Sequence, residues 1–361
     1  MLAAALALPH LGMPAHAETA PERGQVSFKL LDYLDSQPGT ERIRVKAPAL
    51  TALVPVNAQW SVTGTWIADS ISGASPAYHD KAITPMRDRR QAADVSVTHY
   101  LPQGTWALGA AHSSESDYLS RSLYGTLSRS SESKNTVWNW GASMSDDRIN
   151  PTNKVVENEA KRSVDLLMGV TQVLGMNDIV QAQLGWSQSQ GYLSDPYKIL
   201  DERPRSRTRQ TLLLRWNHHL ENLGATVRSA YRHFQDDWGI RAHTLDLEHV
   251  QTLNESWKLS GAMRYYSQSA ARFYVDADGS NSPFAPSPAP GARWSSLDQR
   301  LSAYGAVTLG AKLTYQVDRD TVVDLKYEHY EQRGAWALGS GSPNLLPFRA
   351  RSVLWGVTRW F

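Results

Sequence analysis

The residue pairs that could carry hydrolytic chemistry are few. Membrane-embedded hydrolases use Ser with His or Asp with His, and the close pairs of this kind are His112-Ser113-Ser114 and His79-Asp80. Catalytic partners are neighbours in space rather than in sequence, so adjacency alone is weak evidence for such a pair. We therefore assign no catalytic residue and predict a protein that is not an enzyme, with a hydrolase as the least favoured alternative.

Metal and cofactor sites are not expected either. The chain has no cysteine, which excludes a thiolate metal site, a catalytic thiol and the attachment motif of c-type haem. None of the 11 histidines stands in a His-Glu-x-x-His spacing. The segment Asp276–Asn281 resembles part of a calcium loop but lacks the closing glutamate. We predict neither a bound metal nor a resident cofactor.

Composition adds further exclusions. The 361 residues carry 37 Lys plus Arg against 35 Asp plus Glu, a net charge of +2, so the basic excess of a nucleic-acid-binding protein is missing. No run of about 18 apolar residues is present, which excludes a transmembrane helix. The mean hydropathy of −0.43 is that of a soluble protein, whereas 13 Trp, 15 Tyr and 24 Gly are unusual for a soluble enzyme.

Strict alternation of apolar and polar residues runs through most of the chain and predicts β-strands to position these side chains. Examples are Trp138–Met144, Val164–Val170 and Val180–Trp186. One face is apolar, often with a terminal aromatic residue, and the other carries Gly, Ser, Thr, Gln or charges. This pattern is typical of transmembrane barrels. We predict an all-β fold, an antiparallel transmembrane β-barrel of about 16 strands, with 14 as the alternative.

The connections separate a barrel from a soluble sandwich, whose strands also alternate. Short and long connections follow one another, as short periplasmic turns and long external loops do in outer-membrane barrels. We predict tight turns near 101–104, 175–178, 253–256 and 318–320. We predict long polar loops near 71–91, 146–162, 189–206, 270–298 and 331–348. No boundary indicates a second domain.

The N-terminus carries a processing signal. Residues 1–17 combine an apolar stretch with the small-x-small site Ala15-His16-Ala17, which predicts a signal peptide followed by a barrel over 18–361. The segment before the apolar stretch has no Lys or Arg, so we expect the translation start to lie upstream of Met1.

The C-terminus ends in an alternating strand that closes with Trp360 and Phe361. This ending resembles the closing strand of bacterial outer-membrane barrels, whose terminal aromatic residue is read by the insertion machinery. We predict a bacterial outer-membrane location, with outer-membrane lipid and the barrel-insertion machinery as partners and no nucleic acid.

The polar faces of the later strands carry charges of both signs, which point into the lumen if the apolar faces meet lipid. These residues are Arg215, Arg228, Arg232, Asp246, Glu248, Lys258, Arg264, Asp324, Lys326 and Glu328. One interpretation is a charged constriction that selects solutes. The other, which we favour because the charges nearly cancel, is a self-neutralising network that fills the barrel and holds its shape.

Two polar loops mix Pro and Gly with Tyr and bunched Arg and Asp. The marked residues are Tyr78, His79, Asp80, Arg87, Asp88 and Arg89 in one loop, and Tyr192, Asp195, Pro196 and Tyr197 in the other. Such loops either fold over a barrel mouth or present a docking surface, and plain solvated loops are the simpler alternative.

These loops also carry a family resemblance. The chain resembles a domain-of-unknown-function family of outer-membrane barrels in Gram-negative bacteria, over nearly the whole mature length. The matching segments are DSQPG (35–39), RVKAPAL (44–50), SGASPAYHD (72–80), MRDRRQAADVSVTHYLP (86–102), GYLSDPYK (191–198) and RPRSR (203–207). Members are encoded beside periplasmic flavin transferases and thioredoxin-like proteins. The resemblance therefore implies a flavin-bearing or thioredoxin-like periplasmic partner.

Three functional hypotheses follow. The leading one is a non-enzymatic outer-membrane β-barrel that serves as conduit or scaffold for a periplasmic, flavin-dependent redox system. Without cysteine or a haem motif the chain cannot itself carry thiol or haem electrons. A general diffusion porin is the alternative, and a hydrolase at the barrel rim is the third.

Overall fold

The computed structural model describes residues 19–76, 83–198, 200–276 and 291–361, so the predicted signal peptide over 1–17 lies outside the described residues. The described chain forms sixteen β-strands. They are β1 Gln25–Gln37, β2 Thr40–Asn57, β3 Trp60–Pro76, β4 Ile83–Leu101, β5 Gly104–Ser114, β6 Tyr118–Ser130, β7 Thr136–Ile149, β8 Glu159–Val173, β9 Asp178–Gly191, β10 Ser206–Leu220, β11 Ala225–Asp236, β12 Arg241–Thr252, β13 Trp257–Gln268, β14 Tyr304–Gln316, β15 Thr321–Arg333 and β16 Phe348–Trp360.

These strands close into one barrel. Each strand pairs antiparallel with its neighbours in sequence, and β16 pairs with β1 from Gln25–Trp360 to Ser36–Arg349. Closure satisfies every strand edge, as a membrane-spanning sheet requires. The predicted sixteen-stranded antiparallel barrel is confirmed, and the alternative of 14 strands is wrong. Within the described residues no helix has the length and apolar character needed to cross a membrane.

The two ends of the barrel differ in their connections. The first described residues, the C-terminus and the short turns, such as 102–103, 174–177 and 253–256, lie at one end, which we call the turn end. The opposite end, the loop end, carries the connections 192–205, 269–303 and 334–347. The predicted long loop over 71–91 is wrong in extent, because pairing between β3 and β4 continues out to Pro76 opposite Ile83.

The alternation that defines the strands also separates the two faces of the barrel. Side chains of successive residues point to opposite faces of a strand. On the outer face, apolar side chains register side by side around the barrel and stay exposed, for example Leu184 (59%) beside Leu212 and Met168 (46%). They form an apolar belt suited to lipid, and the intervening residues point into the lumen.

Aromatic residues mark the turn end of this belt. Trp60, His99 and Trp106 lie on adjacent strands with ring centroids 4.2–5.5 Å apart, and Trp257 packs on Tyr315 at 4.4 Å. Such amphipathic rings suit the boundary between lipid and water. The apolar outer face and its aromatic edge therefore both follow from the sequence pattern.

The C-terminal residue fastens the seam between β16 and the N-terminal segment. Phe361 and Gly24 exchange backbone hydrogen bonds of 2.9 and 3.0 Å. The ring of Phe361 lies so close to Gly24 that a β-carbon there would stand 2.5 Å from the ring. A larger residue at position 24 would therefore have to displace the terminal ring.

Candidate functional site

The inner face of strands β10 to β13 concentrates positive charge. Its charged residues are the cations Arg207, Arg209, Arg215, Arg228, Arg232, Lys258 and Arg264 and the carboxylates of Asp236, Asp246 and Glu248. Seven cations thus share this surface, which we call the basic wall, with three carboxylates. On β14 and β15, by contrast, two lysines face two carboxylates and the charges cancel.

Ion pairs neutralise part of the basic wall. Arg228 pairs with Glu248 at 3.1 Å across the β11–β12 ladder, and Arg264 pairs with Asp246 across the β12–β13 ladder. Cross-strand pairs of opposite charge are favourable in this geometry. These four residues were predicted from the sequence to share the lumen, and the register brings them into direct contact.

Other cations of the basic wall keep their charge uncompensated. Arg215 donates a hydrogen bond of 3.2 Å to the neutral amide of Gln181. Arg232 forms no ion pair among the described residues, and it interacts electrostatically with Arg264, Arg215 and Asp246. Three arginines therefore converge on one carboxylate. Such a group can attract an anion that fits between the guanidinium groups.

The predicted lumenal charges on β14 and β15 lie apart from the arginines of the basic wall. Lys326 and Glu328 form an ion pair of 2.8 Å within β15, and Asp324 lies 3.8 Å from Lys312 of β14. Lys258 stands near the turn end, in register with Thr252. The predicted residues therefore form two groups on adjoining sectors of the barrel rather than one continuous network.

A carboxylate lies on the sector across the lumen. Asp94 of β4 accepts a hydrogen bond of 2.5 Å from the Tyr124 hydroxyl. In a ring of sixteen strands, β4 stands opposite β12, the middle of the basic wall. Asp165 of β8, which accepts a hydrogen bond of 3.0 Å from Ser143, stands two strands from β10. Asp94 therefore faces the excess of cations on the wall from the other side of the lumen.

Water reaches the basic wall. The side chains of Arg228 and Arg264 are 53% and 55% exposed although both point inward. An inward side chain can be exposed only where the lumen holds space beside it. The middle of the barrel is therefore not filled by side chains at this level.

The loop end is dry by comparison. The described parts of the β9–β10 and β13–β14 connections, residues 192–198, 200–205, 269–276 and 291–303, pack together and are called the loop cap here. Arg203 donates to Asp298 at 2.7 Å and to Asp201 at 2.9 Å, with all three side chains almost fully buried. Arg300 pairs with Asp298 and, at 2.5 Å, with Asp195.

Electrostatics hold this cluster in its ionised form. Burial alone would raise the pKa of Asp298, but the charges of Arg300, Arg203 and Lys198 outweigh it and hold the pKa well below its usual range. Burial lowers the pKa of Lys198 to about 8, and the nearby positive charges of Arg300 and Arg42 act in the same direction. Asp298 and Asp195 oppose that decrease.

The loop cap extends over the barrel mouth. Lys198 follows β9 yet lies within electrostatic reach of Arg42 on β2, across the barrel. Tyr197 donates its hydroxyl hydrogen to Asp117 in the β5–β6 connection, and Pro196 accepts a 2.8 Å bond from Asn153 in the β7–β8 connection. The cap is thus fastened to several connections around the rim.

The predicted loop motifs have different outcomes. The second motif, with Tyr192, Asp195, Pro196 and Tyr197, lies in the loop cap. Of the first, Tyr78, His79 and Asp80 and the side chain of Arg87 lie outside the described part, whereas Asp88 and Arg89 stand on β4 with opposite orientations.

Asp88 joins a small acidic group at the loop end. It accepts a 2.9 Å hydrogen bond from Ser116, and its carboxylate lies within 4.8 Å of those of Glu115 and Asp117. Burial raises the pKa of Glu115, and the charges of Asp88 and Asp117 add to the increase. These contacts hold the β5–β6 connection against β4.

The close pairs that suggested hydrolysis do not form a site within the described chain. In the motif His112-Ser113-Ser114 of β5, Ser113 points inward and away from His112, whereas Ser114 shares the outer face with His112. No hydrogen bond joins His112 to either serine among the described residues. The pair His79-Asp80 lies outside the described residues.

Sequence reasoning missed most of the cap cluster and part of the wall. Arg207, Arg209 and Asp236 belong to the basic wall near the loop end, where Arg207 pairs with Asp236 at 2.6 Å. Asp298 and Arg300 come from a segment that was predicted only as a polar loop. An alternating strand start at 206–209 is the signal that could have identified the two wall arginines.

A closed antiparallel barrel with an apolar outer face and a charged, water-accessible inner face has the architecture of outer-membrane β-barrel proteins. The chain belongs to the family described as "Protein of unknown function (DUF3570)", whose model matches residues 79–159 and 152–348. Among curated proteins none matches the chain.

Solved structures share the fold at low sequence identity. A bacterial polysaccharide outer membrane secretin is 8% identical with a TM-score of 0.53, covering 94% of this chain and 98% of the secretin. CdiB from Acinetobacter baumannii is 10% identical with a TM-score of 0.51, covering 92% and 60% of the two chains. The siderophore receptor PirA from Pseudomonas aeruginosa is 12% identical with a TM-score of 0.46, and this chain spans 57% of its length.

Proposed function

We propose that this protein is a non-enzymatic conduit of the bacterial outer membrane that conducts small anionic solutes along the basic wall. The observation that carries the proposal is the excess of exposed cations on the inner faces of β10 to β13. Arg215 and Arg232 form no ion pair with a carboxylate of the described chain, and the nearby Asp246 is already paired with Arg264.

The physical basis is the strength of charge attraction in a wet lumen. Two unit charges 4 Å apart attract by about 1 kcal/mol in bulk water and about 4 kcal/mol at the effective dielectric constant of a protein surface. Attraction of this size is enough to favour entry of an anion and weak enough to let it leave. Asp94 on the opposite sector adds a field across the lumen that orients a dipolar solute.

The loop cap gives the conduit a closed mouth in this conformation. Its buried ion pairs tie the connections after β9 and β13 together, and its fastening to the rim covers the loop end. On this proposal, passage of a solute through the loop end requires the cap to move. We propose that the cap regulates entry from the loop end.

A general diffusion porin remains the alternative. It would conduct both ions without strong preference. The uneven distribution of cations favours the selective conduit over it. The predicted motif around His112 gives a hydrolase no support, since Ser113 faces away from His112 and no hydrogen bond joins His112 to Ser114 in the described chain.

The periplasmic partner implied by the family resemblance is a separate prediction. A flavin-bearing or thioredoxin-like protein would supply redox chemistry that a chain without cysteine cannot perform, and the barrel would act as its scaffold or exit. Purification from outer membranes in mild detergent, followed by mass spectrometry of co-purifying proteins, tests this. Recovery of the barrel alone after crosslinking in cells would contradict the scaffold role.

The conduit is tested by the reversal potential of single channels in a KCl gradient. We expect preference for chloride, reduced about thirtyfold in a double variant Arg215→Gln/Arg232→Gln, because each of the two charges contributes about 1 kcal/mol in water, or about fivefold. The matched control is Lys326→Gln, a lysine of the neutral sector.

A separate experiment addresses the loop cap, because a closed cap would block conductance and hide the ion preference of the wall. The same measurements are made in Asp298→Asn, which weakens the cap without touching the basic wall. Absence of conductance in both proteins, or a chloride preference unchanged by the double variant, would contradict the conduit.

A further inference from the structure

Two clusters of cations on the outer face of the barrel are not explained by a lumenal function. One cluster surrounds Asp32 of β1 and consists of Arg44 and Lys46 of β2 and Arg351 of β16. The other surrounds Asp146 of β7 and consists of Arg121 of β6, Arg148 of β7 and Arg162 of β8. Each contains three cations and one carboxylate.

In the first cluster the carboxylate is already engaged. Arg44 binds Asp32 through two hydrogen bonds, of 2.7 and 3.2 Å. Lys46 and Arg351 act on the same carboxylate electrostatically but form no ion pair among the described residues. Glu41 of β2 also acts electrostatically on Arg44. With both carboxylates counted, three cations leave the cluster a net charge of +1 on an outward, exposed surface.

The second cluster repeats this arrangement. Arg162 pairs with Asp146 at 2.9 Å, and Arg121 is in register with the same aspartate on the other side. Arg148 follows two residues along β7 on the same face, and neither Arg121 nor Arg148 has an ion-pair partner in the described chain. Its side chains are strongly exposed, with Arg162 at 81%.

Both clusters stand at the same depth. Met144 and Leu123, two residues closer to the turn end than Asp146 and Arg121, are 60% and 59% exposed on the apolar belt. Leu30 and Val353 hold the corresponding positions below the first cluster, each 41% exposed. Two strand residues span about 7 Å. The cations therefore begin one side-chain row beyond the apolar belt, where lipid headgroups lie.

The turn end lacks such clusters on its described outer face. Arg129 lies beside Trp138 and Arg359 beside Val26, each without a second strand-borne cation as cross-strand neighbour. Asp178 there is engaged by Trp216 and His218 at 2.7 and 2.8 Å. The clustering of cations is thus a property of the loop end.

We propose that the two clusters bind the phosphate groups of anionic lipids in the membrane leaflet on the loop side. Guanidinium groups match phosphate oxygens in pairs, and each cluster keeps a net positive charge and two cations that form no ion pair in the described chain. The clusters occupy β16–β2 and β6–β8, on different sides of the barrel, so two lipids can bind at once. This inference concerns the outer surface and does not depend on the proposed conduit.

The test uses bisphosphorylated lipid A as the probe. The barrel in neutral detergent is titrated with it, and bound lipids are counted by native mass spectrometry. Each Lys or Arg near an anionic lipid surface contributes an attraction that, over three residues, amounts to a hundredfold or so at low salt. We expect at least tenfold weaker binding at one of two sites in Arg121→Gln/Arg148→Gln/Arg162→Gln.

The matched control is Arg129→Gln/Arg359→Gln, which removes cations from the turn end and should keep both sites. A second variant, Arg44→Gln/Lys46→Gln/Arg351→Gln, serves if the first does not fold, and heat-modifiable migration in gels verifies folding. Equal loss in control and cluster variants, full displacement by inorganic pyrophosphate, or unchanged binding in the cluster variants would overturn the proposal.

Discussion

The ion pairs of the loop cap and those of the basic wall use the same residue types in opposite environments. Arg203 and Asp298 in the cap are 5% and 0% exposed, whereas Arg228 and Glu248 on the wall are 53% and 35% exposed. Removing one partner of a buried pair strands a charge away from water, at a cost of about 3–5 kcal/mol. A hydrated pair contributes about 0.2–1 kcal/mol.

This difference assigns different tasks to the two regions. The cap pairs fix the conformation of long connections, whose backbone would otherwise retain about 1–2 kcal/mol of conformational freedom per residue. The wall pairs stand on strands already fixed by the barrel ladder. The charges of the wall pairs are therefore available to a solute, whereas the charges of the cap pairs are buried against each other and stabilise the cap.

Asp298→Asn is expected to have the largest effect. It keeps the side-chain volume but removes the negative charge that compensates Arg203, Arg300 and Lys198. We expect the opening free energy of the cap to fall by about 3–5 kcal/mol. Hydrogen exchange of residues 192–198 and 291–303 should then become at least about a hundredfold faster.

The control for this change is Glu248→Gln on the basic wall, which removes one carboxylate from a hydrated pair. It should leave exchange in the cap unaltered. Similar protection of the cap in wild-type protein and Asp298→Asn would show that apolar contacts such as Trp238 with Phe273 hold the cap instead.

The next largest expected effect is the pH dependence that Lys198 gives to the stability of the cap. The pKa of Lys198 falls from about 10.5 in the unfolded cap to about 8 in the folded one, because burial disfavours the charged amine. The amine therefore destabilises the closed cap below pH 8, and stability is regained as pH rises from 8 towards 10.5. We expect a gain of about 2 kcal/mol between pH 7 and 10.

Hydrogen exchange of the cap, corrected for the intrinsic pH dependence of the amide rate, measures this gain. Lys198→Met should abolish the gain. The range ends at pH 10 because burial raises the pKa of Tyr192, Tyr197 and Tyr274, whose unfolded phenols begin to ionise there. A wild-type cap whose stability does not change with pH would contradict the assigned burial of the amine.

The comparison also explains what the sequence could predict. Strand alternation is a local pattern with a period of two. The barrel, the number of strands and the inward faces could therefore be predicted from the sequence, and so could the inward orientation of Arg228 and Glu248. The cap could not, since Arg203 and Asp298 are 95 residues apart in sequence. No local pattern couples two connections, and the pairing exists only once the barrel has brought them together.

The basic wall has a larger excess of cations than the residues predicted from the sequence indicate. Counting only residues in clear alternation gives five cations and two carboxylates on β10 to β13 and omits Arg207 and Arg209, which begin β10 next to the loop end. With these two arginines and Asp236 the excess rises from three to four. The sector of Lys326 and Glu328, in contrast, has the cancellation that was expected of the whole lumen.

Asp246→Asn is expected to have a smaller effect, on chloride preference, and the effect is opposite in sign to that of removing arginines from the wall. Loss of this carboxylate frees Arg264 and leaves Arg215 and Arg232 without a nearby negative charge. Chloride preference should rise by about fivefold, corresponding to about 1 kcal/mol. Reversal potentials in a KCl gradient measure it, with Asp324→Asn of the neutral sector as the matched control. A decrease in chloride preference would contradict the assignment of Asp246 as a counterion.

The smallest expected change separates the two regions most cleanly. Arg228→Ala removes one partner of the hydrated pair with Glu248, and the remaining carboxylate stays in contact with lumenal water. The free energy of unfolding should fall by no more than about 1 kcal/mol. Urea unfolding in lipid vesicles, followed by tryptophan fluorescence, measures this decrease. The comparison variant is Arg203→Ala, whose loss of stability is confined to the cap and is measured by hydrogen exchange of the cap. A loss of several kcal/mol in Arg228→Ala would mean that the wall pair is dehydrated in the membrane, and the wall would then be part of the scaffold rather than a surface for solutes.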